Sequence, residues 1–200
     1  MLIAKPTTNQ EASMITTTQK LTFEEYLTYD DGTDTRYELV EGQLVSMTPA
    51  TWQHYFITHF IFETLLQEIR RLHLPWMIFV EPGQRTGVST SRIPDLAVIP
   101  TQQLKALKSR SAVSESPVLL AIEVVSPSLI QDDYITKRDE YQATGIPEYW
   151  VVDAISDDPR ITIHTLHNQV YELQVFRDAE LLTSPTLPEL KIAAAQILNA

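Results

Sequence analysis

The 200-residue chain predicts an α/β protein: a mixed β-sheet flanked by helices, with one hairpin towards each end. Three observations carry that expectation. Short apolar, β-branched runs at Asp95–Ile99, Leu119–Val125 and Glu148–Asp153 have the length and composition of buried strands. Longer stretches at about Trp52–His73 and Gln131–Thr144 read as helices that precede and separate those runs. Two strand-like segments, Arg36–Met47 and Arg160–Phe176, each contain a turn signal.

The elements follow in order. Met1–Thr18 is polar and Thr-rich without periodicity and reads as a mobile tail, leaving 19–200 as one domain. Thr22-Phe23-Glu24-Glu25 has the spacing of a capping box, so a short helix starts there and covers Phe23, Tyr26 and Leu27. Tyr37–Val40 and Gln43–Met47 flank Glu41-Gly42, where glycine supplies the positive φ of a tight turn. The helix from about Trp52 holds Phe56, His59, Phe60, Glu63, Leu66 and Ile69, and one side of it is expected to be buried, with His59 as packing. Trp76–Glu81 and Gln84–Val88 read as a strand pair around Pro82-Gly83. A short helix is expected at Gln102–Ser109, and Ile192–Leu198 reads as a last helical turn. The helix at Gln131–Thr144 stops at Gly145, with Pro147 beyond.

Composition narrows the function. At 44% hydrophobic and 20% charged residues the chain is globular in character. With no cysteine there is no disulfide framework, thiolate nucleophile or cysteine zinc site, and a reducing cytoplasm suits it. No basic-then-apolar leader and no apolar run of membrane-spanning length are present; the longest, Val118–Val125, is broken by Glu123. A net charge of −11 argues against a protein that coats nucleic acid, because such binding is driven by phosphate neutralisation. It leaves room for a local basic patch: Arg70, Arg71 and His73; Arg85 and Arg92; or Lys105, Lys108 and Arg110.

Two carboxylates stand where the pattern wants dry residues. Asp95 opens one strand run and Glu123 interrupts another whose two faces, Ala121/Val125 and Ile122/Val124, are both apolar. A buried unpaired charge is costly, and two acids on adjacent strands repel unless a cation or proton lies between them. A hard divalent ion with oxygen ligands answers both demands. Helical spacing puts Ile130, Tyr134, Lys137 and Tyr141 on one stripe, so Lys137 interrupts the face that should pack on the sheet. Each residue alone has an ordinary explanation: a turn aspartate, a solvent-facing glutamate, a lysine whose stem lies along the surface. Together they suit phosphodiester hydrolysis, in which a metal polarises phosphate and a lysine stabilises charge or orients water. Glu38, Glu41 and His54 are further candidates, and the carbonyl of Val124 is a candidate ligand beside Glu123.

Tyr37–Gly42, His54, Arg92-Ile93-Pro94-Asp95, Glu123–Ser128, Lys137 and Gly145–Asp153 resemble the Uma-type family of bacterial restriction-endonuclease-like proteins, within the PD-(D/E)XK nuclease superfamily. The resemblance runs from about Leu21 to Phe176. It implies a restriction-endonuclease-like core of helix, three strands, helix and strand, with Asp95 and Glu123 as Mg2+ ligands (Mn2+ as substitute). Val125 stands where the superfamily pattern has its lysine, and Lys137 matches relatives in which that lysine has moved to the next helix. The resulting expectation is an Mg2+-dependent DNA endonuclease, homodimeric, with Arg85 and Arg92 against DNA and no membrane partner. Lys137→Ala is then expected to abolish cleavage with the fold largely intact, and at least one of the two acids to have a raised pKa. A non-catalytic dimeric interaction protein on this fold is the alternative. A two-carboxylate glycosidase fits less well, because it gives Lys137 no role.

Overall fold

The computed structural model describes residues 20–105 and 110–200; the expected tail at 1–18 and the end of the expected Gln102–Ser109 helix lie outside these. The elements in chain order are α1 (Phe23–Leu27), β1 (Tyr37–Val40), β2 (Gln43–Ser46), α2 (Trp52–Arg71), β3 (Trp76–Val80), β4 (Gly83–Arg85), β5 (Ser91–Arg92), β6 (Leu96–Pro100), α3 (Thr101–Leu104), β7 (Val113–Ser114), β8 (Leu120–Val124), a π-helical turn (Asp132–Thr136), α4 (Lys137–Thr144), β9 (Glu148–Asp153), β10 (Arg160–His167), β11 (Val170–Phe176) and α5 (Ala194–Leu198).

The strands form two sheets. A six-stranded sheet has the order β11-β10-β9-β8-β6-β3, and a five-stranded one has the order β2-β1-β5-β4-β7. In the large sheet only β8 and β9 run parallel, joined by the crossover that contains the π-turn and α4. This is the mixed α/β architecture the pattern predicts, including both hairpins.

Burial explains the layers. Ile57, Ile61, Leu65 and Ile69 recur every fourth residue of α2 and pack on Leu120, Ile122 and Val124 of β8. The alternate residues Ala121 and Val125 face the other way, onto Tyr141 of α4 and Tyr149 of β9. α1 carries the expected capping box, with Thr22 Oγ1 accepting from the Glu25 amide and Glu25 accepting from the Thr22 amide. It covers the smaller sheet through Phe23, against Tyr37, Leu39 and Leu44. Glu41 and Gly42 both take positive φ in the β1–β2 turn.

Three expectations are corrected. β3 and β4 do not form a hairpin: β3 pairs with β6 in the large sheet, whereas β4 pairs with β5 and β7 in the small one. Pro82-Gly83 marks a crossing between sheets. Gly83 is required there by close approach, since a Cβ would come within 2.6 Å of Val113. His59 lies on the exposed side of α2 and faces Glu63 instead of packing. Ile130 is exposed, because the wide π-turn inserts an extra residue and rotates the preceding segment; Asp133, Lys137 and Tyr141 form the buried stripe instead.

Candidate active site

The site lies where the two sheets meet. β6 and β8 are antiparallel and their pairing ends with Leu96 opposite Ile122, so Asp95 and Glu123 are the next residues along the two chains. The strands part here, and the Asp95 side chain takes over a ladder position. Its Oδ2 accepts from the Val124 amide at 2.6 Å. His54 Nε2, from the first turn of α2, lies 3.1 Å from the same oxygen, and His54 Nδ1 faces Thr58 Oγ1 at 3.4 Å. Thr51 caps α2 by accepting from the His54 amide, which fixes where the imidazole starts. Burial depresses the imidazole pKa, but the hydrogen bond and charge of Asp95 outweigh it and leave the pKa raised.

Glu123 is buried on the α4 face. Tyr141 donates to its Oε1 at 2.8 Å, and Lys137 Nζ sits 2.9 Å from its Oε2. The same ammonium lies 3.0 Å from Asp133 Oδ1. The π-turn builds this: the Lys137 amide reaches back five residues to the Asp132 carbonyl, and the Tyr149 hydroxyl pins the Asp133 carbonyl at 2.8 Å. Burial is the largest influence on all three groups. It drives Glu123 well above the usual carboxylate range, helped by Asp133 and Asp95 and opposed by Lys137. It pushes Asp133 up to about 6. For Lys137 burial acts downward, yet Glu123 and Asp133 overcome it and hold the ammonium charged. Two carboxylates share one lysine, so the cluster tends to keep a proton.

A second charge cluster braces the first. Arg92 is buried and contacts three carboxylates: Glu38 at 3.0 Å, Asp132 at 3.2 Å and Glu140 at 2.7 Å. Glu38 also accepts from the Ile93 amide at 2.9 Å. The small sheet thereby grips both the π-turn and α4.

The structure gathers Asp95, Glu123, Lys137, His54 and the Val124 backbone, with Glu38 one layer behind. Glu41 is exposed in the β1–β2 turn, its amide on Thr90 Oγ1, and is not part of the gathering. Arg92 does not offer DNA a free cation, because its guanidinium is enclosed by acids. Arg85 lies 4.0 Å over the Phe23 ring, with Glu115 3.2 Å from Nη1. Arg71 is taken by Glu68 and Glu189 at the far end of α2, and Arg110 by Glu115. Sequence reasoning missed Asp133 as a partner of the lysine, Tyr141 as a donor to Glu123, and Arg92 as a brace. The i, i+4 spacing of Asp133 and Lys137 was the available signal.

The comparisons bear on this geometry. A family model described as "Putative restriction endonuclease" (Uma2) matches residues 23–195. The chain belongs to the Uma2 family. A solved structure, "a putative nuclease belonging to DUF820" from Anabaena variabilis, superposes with a TM-score of 0.74 at 17% identity, covering 90% of this chain and 98% of that one. At that identity the likeness establishes the fold, which is nuclease-like. The search of curated proteins gave no match. Among the described residues no helix is long and apolar enough to cross a membrane, and no three His, Cys, Asp or Glu side chains converge as a ready-made metal cage.

Proposed function

We propose that this Uma2-family chain is a divalent-metal-dependent endonuclease that hydrolyses DNA phosphodiester bonds, working in the cytoplasm as a homodimer. The observation that carries the reading is Asp95 held on the amide of Val124, the residue after Glu123, with the Lys137 ammonium 2.9 Å from Glu123. The donor chemistry fits Mg2+, with Mn2+ as substitute. Asp95 Oδ1 has no protein partner among the described residues, Glu123 brings a second carboxylate, and the Val124 carbonyl lies on the same strand edge as its amide. Two carboxylates and a carbonyl are a partial shell, in keeping with an ion that keeps several waters and takes substrate phosphate oxygens. When bound there, the ion would polarise the phosphate and lower the pKa of a water.

The chain's own residues do the rest. His54 and the Val124 amide hold Asp95 Oδ2 and turn Oδ1 outward. Tyr141 and Lys137 orient Glu123, and the protonated lysine offsets negative charge as it builds on the phosphate. Glu38 serves through Arg92 as a positioning residue. The test is cleavage of plasmid and linear DNA with Mg2+ or Mn2+. Asp95→Asn keeps both hydrogen-bonding positions and should fold yet lose cleavage by a hundredfold or more. Lys137→Met should lose cleavage as well, and moving the amine back with Val125→Lys, Lys137→Met should recover part of that loss. Equal cleavage by wild type and Asp95→Asn would reject the assignment.

One observation favours the non-catalytic alternative: the Lys137 ammonium already has two buried carboxylate partners, Glu123 and Asp133, and could serve in a structural ion cluster alone. Under that reading Mg2+ leaves the melting temperature unchanged, whereas a metal bound only by the native state raises it.

A further inference from the structure

Both oxygens of Glu123 are engaged in the free protein: Oε1 accepts from the Tyr141 hydroxyl at 2.8 Å, and Oε2 faces the Lys137 ammonium at 2.9 Å. An ammonium and a divalent cation on one carboxylate repel each other, and more strongly away from water. Glu123 therefore has to loosen its hold on the lysine before it can act as a metal ligand. Lys137 cannot withdraw to solvent, since its side chain is only 4% exposed, and a buried cation without a partner is costly. The amine needs a second seat.

Asp133 supplies one. Its Oδ1 lies 3.0 Å from Lys137 Nζ, at i, i+4 spacing on the buried side of the π-turn and α4. Its backbone is held on both sides: the amide donates to the Leu129 carbonyl at 2.9 Å, and the carbonyl accepts from the buried Tyr149 hydroxyl at 2.8 Å. The two carboxylates differ in what else they have. Glu123 keeps the Tyr141 hydroxyl, whereas Asp133 Oδ1 takes no hydrogen bond from an amide or hydroxyl among the described residues. Parting Lys137 from Asp133 would strand a buried carboxylate with nothing to replace the lysine. Parting Lys137 from Glu123 while Glu123 serves as a ligand strands neither group. Of the two ion pairs, the one with Glu123 is the one that can yield.

We propose that Asp133 is a positioning residue for the candidate metal site: it retains the Lys137 ammonium when Glu123 gives it up, so that Glu123 is freed to ligate and the amine stays beside it. The inference rests on the reading of Asp95 and Glu123 as metal ligands.

The test is Mn2+ binding to the full chain in neutral buffer without DNA, read from the electron paramagnetic resonance signal of free Mn2+. Asp133→Asn leaves the lysine to Glu123 alone and should weaken binding about tenfold. In a Lys137→Met background no amine remains to be seated, and adding Asp133→Asn should change binding by less than about twofold. A general loss of negative charge would act in both backgrounds, so an equal weakening in each would overturn the proposal and leave the metal site standing. Asp132→Asn gives a second comparison that does not depend on Lys137→Met folding. It removes a carboxylate from the same turn, but one that faces Arg92 at 3.2 Å. Binding by Asp132→Asn should stay within about twofold of wild type, and a loss as large as that of Asp133→Asn would overturn the proposal. Mn2+ binding that Asp95→Asn does not weaken would reject the metal ligands and this role for Asp133 together.

Discussion

Replacing Lys137 with methionine tests the buried cluster most directly. The ammonium sits 2.9 Å from Glu123 and 3.0 Å from Asp133, and all three side chains are buried. Methionine fills the stem's volume but removes the charge, leaving two carboxylates without a counter-ion in a dry setting. Breaking a buried pair in this way costs about 3–5 kcal/mol. The fold is therefore not indifferent to this lysine, contrary to the expectation from sequence that its loss would spare the structure. The sign with pH follows from the acids. Their folded-state pKa values are raised already and rise further without Lys137, so the penalty is small below about pH 4, near the unfolded carboxylate value, and grows as pH rises. Urea unfolding followed by circular dichroism at pH 4.5 and 7.5 measures it. The stability gap between variant and wild type should be several-fold larger at pH 7.5, and Asp133→Asn added to Lys137→Met should recover part of the loss. A gap under about 0.5 kcal/mol at pH 7.5 would refute the reasoning, since it would mean that the cluster is solvated.

Three further outcomes are expected. Arg92→Ala should destabilise by about 3–5 kcal/mol in urea titrations, and Arg92→Lys should recover little, because an ammonium cannot reproduce the paired contacts of Nε and Nη2 with Glu140 at 2.8 and 2.7 Å. Tyr141→Phe should cost about 1–3 kcal/mol by leaving Glu123 Oε1 without its donor; an unchanged unfolding midpoint would show that water replaces the hydroxyl. His164, packed between Tyr149 and Tyr171, is lowered by burial to about 4, so its neutral form contributes stability above about pH 6.5 that is lost as pH falls towards 4. Asp133, raised to about 6, has the opposite slope between about pH 4 and 6. Relative to the wild type over that window, His164→Gln should tilt stability towards falling with pH and Asp133→Asn towards rising, each by up to about 3 kcal/mol; tilts in the same direction would contradict both assignments.

Glu123 and Lys137 were legible in the sequence because each breaks an apolar pattern that periodicity alone defines. Asp95 was legible only with them, since an aspartate after proline is ordinary. Asp133 was not, because its burial depends on a π-turn, and no residue in Asp132–Thr136 announces a five-residue reach. Arg92 was misassigned for a related reason: a sequence shows that a charge is present but not that three acids from β1, the π-turn and α4 surround it. The β3–β4 hairpin failed because Pro-Gly ends a strand equally well before a hairpin and before a change of sheet. Helix and strand positions otherwise follow the pattern closely, since burial on one face or two is what sets the period.

The smaller sheet makes sense once the site is seen as a seam. Arg92-Ile93-Pro94-Asp95 leaves the small sheet at Arg92 and enters the large one just after Asp95. Glu38 receives the Ile93 amide in the middle of this crossing, and Arg92 at its start holds Asp132 and Glu140. One four-residue segment thus positions a candidate metal ligand at one end and, at the other, the helix that carries the lysine. Around it, among the described residues, Glu38, Asp95, Glu123, Asp132, Asp133 and Glu140 face two permanent cations, Arg92 and Lys137, so the carboxyl groups outnumber the cations by four in a largely buried setting. Such an excess raises carboxylate pKa values in the absence of a further cation and is relieved by one, so the charge balance that strains the free protein is also what would draw a divalent ion to Asp95 and Glu123.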